Sequence, residues 1–169
     1  MAVNLRAYVL FVGFMLLCCA TAVAQTPEED PVAVVEVGAA VSRVLHGGES
    51  AFGPTLAVEV TPVESWLELE AGVTPLFSHG STEWGTDLLF KKPWTLSPKV
   101  EFMIGVGPEW IHSKTANSGS LEAILDFMYW PKGKHKIGWY VEPDYEYSMA
   151  RGHERSLGVS GGLLIAIWR

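Results

Sequence analysis

The stretch KIGWYVEPDYEYSMA, Lys136 to Ala150, sets Glu142, Asp144 and Glu146 at alternate positions, with Trp139, Val141, Tyr145 and Tyr147 between them. Such alternation is the mark of a β-strand, whose successive side chains point to opposite faces. One face of this segment is apolar and aromatic, the other acidic. Either the acidic face meets water around an apolar core, or the apolar face meets lipid around an acidic interior. Pro143 lacks the amide that a paired strand donates, and it marks a candidate bulge with a change of parity beyond it.

The same alternation recurs along the chain. From Val32 onward no amphipathic helix is evident, and eight period-2 segments can be marked. They run Val32 to Val44, Ala51 to Val60, Trp66 to Phe77, Glu83 to Phe90, Lys99 to Ile111, Leu121 to Trp130, Ile137 to Ser148, and Ser156 to Trp168. Connections short enough for hairpins predict an antiparallel meander, and an even strand count with every edge closed predicts an up-and-down barrel. The connections fall into two sets. LHGGES, FSHGST, HSKTANSGS and MARGHERS are rich in Gly, Ser and His; TPVES, KKPWTLSPK and PKGKHK are rich in Pro and Lys. In an even-stranded barrel these sets occupy opposite ends, and both termini share the second.

One face of each strand is free of charge. Its members include Leu56, Val58, Val60, Leu67, Leu69, Val73, Val100, Phe102, Ile104, Val106, Leu125, Phe127, Tyr129, Leu157, Val159, Leu163, Ile165 and Ile167. The other face carries Glu59, Glu68, Glu70, Asp87, Glu101, Glu122, Asp126, Glu142, Asp144 and Glu146, with Glu36, Glu83 and Glu109 in the same parity and many glycines among them. In a soluble lipocalin-like carrier the apolar face lines a ligand pocket, with Phe102, Phe127, Tyr129 and Leu163 among the lining residues. In a membrane barrel the apolar face meets lipid and the acidic face becomes the lumen. All seven tryptophans, Trp66, Trp84, Trp94, Trp110, Trp130, Trp139 and Trp168, lie at or near strand ends or in a turn, where aromatic girdles sit in membrane barrels. Inward glycines also suit a narrow interior, whereas an exposed strand gains nothing from them. The expectation is therefore an all-β, eight-stranded antiparallel transmembrane barrel with an acidic lumen. Among basic residues this reading gives the lumen only Lys99, and it places Arg43, Lys91 and Arg155 near the rims. So many carboxylates need water, protons or cations for company.

The N-terminus reads as a secretory signal: Arg6, the apolar run VLFVGFMLLCCA, and small residues ending at Ala24. Cleavage there defines residues 1–24 as a signal peptide, 25–31 as a flexible lead and 32–169 as the barrel. Cys18 and Cys19 both fall in the removed part, so the mature chain has no disulfide and no thiolate metal site. Of 12 Lys and Arg only Arg6 is lost, against 19 Asp and Glu retained, so the formal net charge moves from -7 to about -8. Nucleic acid is excluded as a partner on that balance.

The signal, the eight alternating strands and the closing strand SLGVSGGLLIAIWR, Ser156 to Arg169, resemble those of the small eight-stranded outer-membrane barrels, the OmpA-like and OmpX-like family. GVGPEWIHS, Gly105 to Ser113, and EPDYEYSMARGHERSLGVSGGLL, Glu142 to Leu164, look like stretches of short bacterial barrel proteins. The resemblance implies a Gram-negative outer-membrane location, contact with outer-membrane lipid, and insertion by the outer-membrane assembly machinery. Such barrels usually end on an aromatic residue; here Arg169 follows Trp168. The resemblance names no external ligand and no activity.

The residues offer three candidate chemistries. His46, His79, His112 and His153 each fall in or beside one of the Gly/Ser-rich loops, and four imidazoles on one rim are candidate Zn or Cu ligands. Their spacing matches no metal motif, and loop histidines are commonly just polar surface. His112 with Ser113, or His153 with Glu154 and Ser156, supplies the residue types of an outer-leaflet lipid hydrolase, without any nucleophile elbow. A narrow cation-preferring channel would use the acidic lumen, although eight strands normally leave an interior filled by side chains. The residues favour a non-enzymatic barrel with a structural or loop-mediated role, no catalytic residue and no cofactor.

Overall fold

The computed structural model describes residues 31–78, 80–114, 117–132, 136–150 and 153–167. Residues 1–24, read from the sequence as a signal peptide, residues 25–30 of the segment read as a flexible lead, His79, Trp168 and Arg169 lie outside the described residues. Eight antiparallel strands follow one another: β1 Ala33–Val44, β2 Ser50–Val63, β3 Leu67–Ser78, β4 Ser81–Ser97, β5 Val100–Ser113, β6 Asn117–Tyr129, β7 Ile137–Ser148 and β8 Arg155–Ile167. Each pairs with its neighbour in sequence, and β8 pairs with β1, which closes the barrel. Closure leaves no strand edge unpaired. The β1–β2, β3–β4, β5–β6 and β7–β8 connections share one end, called here the loop end; the other three share the turn end with the start of β1 and the end of β8.

Parity sorts the side chains as the alternation predicts. Leu56, Val58, Ile104, Val106, Leu125, Leu157, Val159 and Ile165 are exposed on the outer wall, where no charged side chain interrupts the middle of any strand. Aromatics flank that apolar belt: Phe52, Phe77, Trp84 and Trp110 toward the loop end, Trp66, Trp94, Tyr129 and Trp139 toward the turn end. Phe102 belongs to the same wall but is only half exposed. Trp94 stacks on it at 5.9 Å and Phe127 packs against it at 4.8 Å between ring centroids.

Three local expectations are corrected. Pro143 makes no parity change: β7 keeps one register against β8 from Ile137↔Ile165 to Tyr147↔Arg155. Against β6 the register is the same on both sides of the proline, with Ile124↔Asp144 before the gap and Phe127↔Val141 after it. The missing amide interrupts the ladder locally without inserting a residue. Second, β4 does not end at Phe90 but runs on through Lys91, Lys92, Pro93 and Trp94, pairing Lys91↔Gly105 and Trp94↔Phe102 with β5. The β3 partner ends at Glu68↔Lys91, so Pro93 sits where only one neighbour remains and a missing donor is tolerated. Third, Trp130 is not in a girdle. It continues the inward parity of Asp126 and Met128 and is 2 % exposed, its indole lying over Gly138, where a Cβ would stand 2.7 Å from Cε3.

Gly107 marks the tightest inward approach of β5, since a Cβ there would run into the Leu88 carbonyl. Gly107→Val is expected to cost about 1–3 kcal/mol by overpacking. Gly119→Val, with no atom nearer than 4.0 Å to the added carbon, should be close to neutral. Urea unfolding followed by tryptophan fluorescence distinguishes the two.

Candidate functional site

The interior divides into four levels. At the loop end a vestibule of about 240 Å³ is walled by Glu49, Glu83, Glu109, Glu146 and Glu154 with Ser42, Ser78, Ser81, Ser118, Ser148 and Ser156. Ser120 Oγ donates to Glu109 Oε2 at 3.0 Å, and Ser156 Oγ donates to Glu146 Oε2 at 3.1 Å. Glu83 stands past Trp84 toward the loop. Its partial burial lifts the carboxyl above the usual carboxylate range, and the nearby charges of Glu49, Glu146 and Glu154 push the same way.

Below the vestibule a throat of about 70 Å³ is lined by Asp87, Glu109, Glu122, Glu142, Asp144 and Glu146, with Glu70 at its wall. Gly72, Gly85 and Gly158 face Asp87, Glu109 and Asp144, whose carboxylates fill the space that a Cβ would take. Inward glycine and inward acid are thus one packing solution.

The third level is a ring around Lys91, which is 1 % exposed. Its Nζ donates to Glu142 Oε2 at 2.9 Å and to Asp126 Oδ2 at 3.0 Å, lies 3.5 Å from Glu59 Oε2, and forms an ion pair with Glu70. Glu36 is 2 % exposed beside them, and its Oε1 has no hydrogen-bond partner; Asp126 Oδ1 is in the same position. Ligand atoms of Glu36, Glu59, Glu70 and Asp126 all lie within 4.8 Å of one another. Glu68 and Glu101 are buried in the same interior.

The fourth level is apolar. Val34, Met103, Met128, Trp130, Tyr140, Leu164 and Ala166 form one buried cluster at the turn end. Among the described residues the interior is therefore an acidic funnel that leads from the loops down to this apolar cluster, with buried Glu101 beside Met128 in the β5–β6 register.

Of the carboxylates read from the sequence as lumenal, Glu59, Glu68, Glu70, Glu101, Asp126 and Glu142 are buried, and Asp87, Glu122, Asp144 and Glu146 are half-buried. Lys99 is exposed at the β4–β5 turn, and Lys91 takes the place expected of it. The signal was present in the sequence: Leu89, Lys91 and Pro93 continue the inward parity of β4, but two lysines beside a proline resemble a turn.

His46, His112 and His153 are exposed at the rim, His79 lies outside the described residues, and among the described residues no group of three or more metal donors includes a histidine. His112 turns outward, with its Nδ1 hydrogen-bonded to Asn117 Oδ1, while Ser113 has the opposite parity. His153 stacks on Tyr147 at 5.7 Å, whereas Ser156 is engaged with Glu146. Phe127, Tyr129 and Leu163 are exposed on the outer wall and Phe102 packs beside Phe127 there, so the apolar pocket of a soluble carrier does not form from them.

This closed eight-stranded architecture is that of the small outer-membrane barrels. The Neisserial surface protein A (NspA) superposes with a TM-score of 0.66 at 14% identity, covering 83% of this chain and 100% of that one. The N-terminal barrel of Pseudomonas aeruginosa OprF gives 0.53 at 13% identity, covering 78% and 97%. Ail, the attachment invasion locus protein of Yersinia pestis, gives 0.51 at 14% identity, covering 80% and 99%. No protein-family model and no curated protein matches the sequence.

Lys91→Met removes the buried partner of four carboxylates and is expected to cost about 3–5 kcal/mol, the usual result of stranding buried charge. Lys92→Met, on the outer face beside Trp94, should stay within about 0.5 kcal/mol. Equilibrium unfolding in detergent micelles at neutral pH measures both.

Proposed function

We propose that the protein is a bacterial outer-membrane barrel with a structural and surface-interaction role, inserted in lipid by its apolar belt and presenting four short loops outside. The observation that carries the reading is the wall itself. An uninterrupted, aromatic-flanked apolar belt surrounds the molecule while its carboxylates are turned inward, the reverse of a water-soluble barrel. Two of the similar structures are named for surface and attachment roles, which supports a role on the cell surface. The narrow throat of about 70 Å³ and the buried apolar cluster below it argue against a through-channel, and the engagement of His112, His153 and Ser156 elsewhere argues against hydrolysis.

Two measurements test this reading. The mature protein should remain with outer membranes after high-salt and carbonate washing and show heat-modifiable gel mobility; recovery in the soluble periplasmic fraction would overturn the proposal. Val106→Arg, at mid-belt, should destabilise the protein folded in phospholipid vesicles by about 2–4 kcal/mol. A soluble barrel would accept the same change at its surface without loss.

A further inference from the structure

The geometry points to a divalent-cation site at the Lys91 level of the funnel, where Glu36, Glu59, Glu70 and Asp126 take a Ca2+ ion alongside the lysine ammonium. Two observations converge. The four carboxylates bring ligand atoms within 4.8 Å of one another from β1, β2, β3 and β6. Independently, Glu36 Oε1 and Asp126 Oδ1 are buried and have no hydrogen-bond partner, in side chains 2 % and 0 % exposed. A buried carboxylate oxygen facing other carboxylates is costly unless something positive stands between them.

Lys91 does not fill that need. Its contacts fall on Glu142 Oε2, Asp126 Oδ2, Glu70 and Glu59 Oε2, and no ion pair joins it to Glu36. Five carboxylates against one ammonium leave a formal charge of -4, which a divalent ion halves. Asp126 can give Oδ2 to the ammonium and Oδ1 to the ion, so lysine and metal share ligands rather than exclude each other.

The donor set decides the class of ion. All four donors are carboxylates, with no sulfur and no imidazole, which selects hard cations over Zn or Cu. The four carboxylates carry eight oxygens, of which Lys91 engages three, and the remaining five completed by water reach the six to eight that Ca2+ accepts in flexible geometry; Mg2+ demands a stricter octahedron and gives up its water reluctantly. The route is acidic throughout. The vestibule and throat lead down past Glu109, Glu146 and Asp87 to Glu70 and Glu142, with room for several waters on the way.

The inference goes beyond the proposed surface role and rests on the barrel interior alone, so it can fail while the membrane reading stands. The test uses the mature chain refolded in zwitterionic detergent, which offers the ion no competing anionic lipid. Calorimetric titration with CaCl2 should show one saturable site with a dissociation constant of about 10⁻⁵–10⁻³ M. Mg2+ should bind at least about tenfold more weakly. Glu36→Gln should weaken Ca2+ at least about tenfold, whereas Glu49→Gln with Glu154→Gln at the rim should leave it unchanged. In the unaltered protein the urea midpoint should rise with added Ca2+ and fall back with chelator. That readout needs no variant, so a failure of Glu36→Gln to refold leaves the test intact. A midpoint insensitive to Ca2+, absence of saturable binding, or binding that survives Glu36→Gln and disappears in the rim variant would each overturn the site.

Discussion

One ammonium group, that of Lys91, holds together the middle of this barrel. A closed eight-stranded wall has an interior just wide enough for side chains, so whatever points inward must pack and must also be electrically compensated. Lys91 is the buried cation among the described residues, and side chains from β2, β3, β6 and β7 converge on it across the lumen. The other inward features arrange themselves about that level. Acids and glycines interlock on the loop side, and methionine, tryptophan and tyrosine fill the turn side.

The inner and outer walls answer opposite demands with one period-2 code. The outer wall has to be uniform, because an apolar belt tolerates charge poorly, and hydrophobic residues of any shape satisfy it. The inner wall has to be specific, because every polar atom there needs a named partner. That difference explains why Leu56, Val58 and Ile165 are interchangeable in kind, whereas the Lys91 ammonium is matched to particular atoms, Asp126 Oδ2 and Glu142 Oε2.

The same contrast explains what was legible in the sequence. Strand number, antiparallel order and the facing of Glu142, Asp144 and Glu146 could be read because alternation is a property of local spacing alone. Phe102 was placed on the correct wall, but its half-burial depends on Trp94 and Phe127 from neighbouring strands, and no local pattern encodes that. For Lys91 and Trp130 composition and parity disagree: KKPW looks like a turn and a strand-end tryptophan looks like a girdle, yet both residues continue the inward register. The convergence of Glu36, Glu59, Glu70 and Asp126 depends on the stagger between strands, which spacing within a strand does not reveal.

The β1–β8 seam has a kinetic meaning. Val35 meets Ile165 across roughly 130 residues of chain, so the last pairing to become possible carries a loop-closure cost of about 4 kcal/mol if made without the strands between. Formed after them, it costs far less, because the meander has already brought the two ends together. A seven-stranded intermediate would show two unpaired edges to its surroundings, which hydrocarbon does not tolerate. Folding of this chain is therefore expected to be all-or-none in lipid, with completion of the circle and entry into the bilayer as one event rather than two.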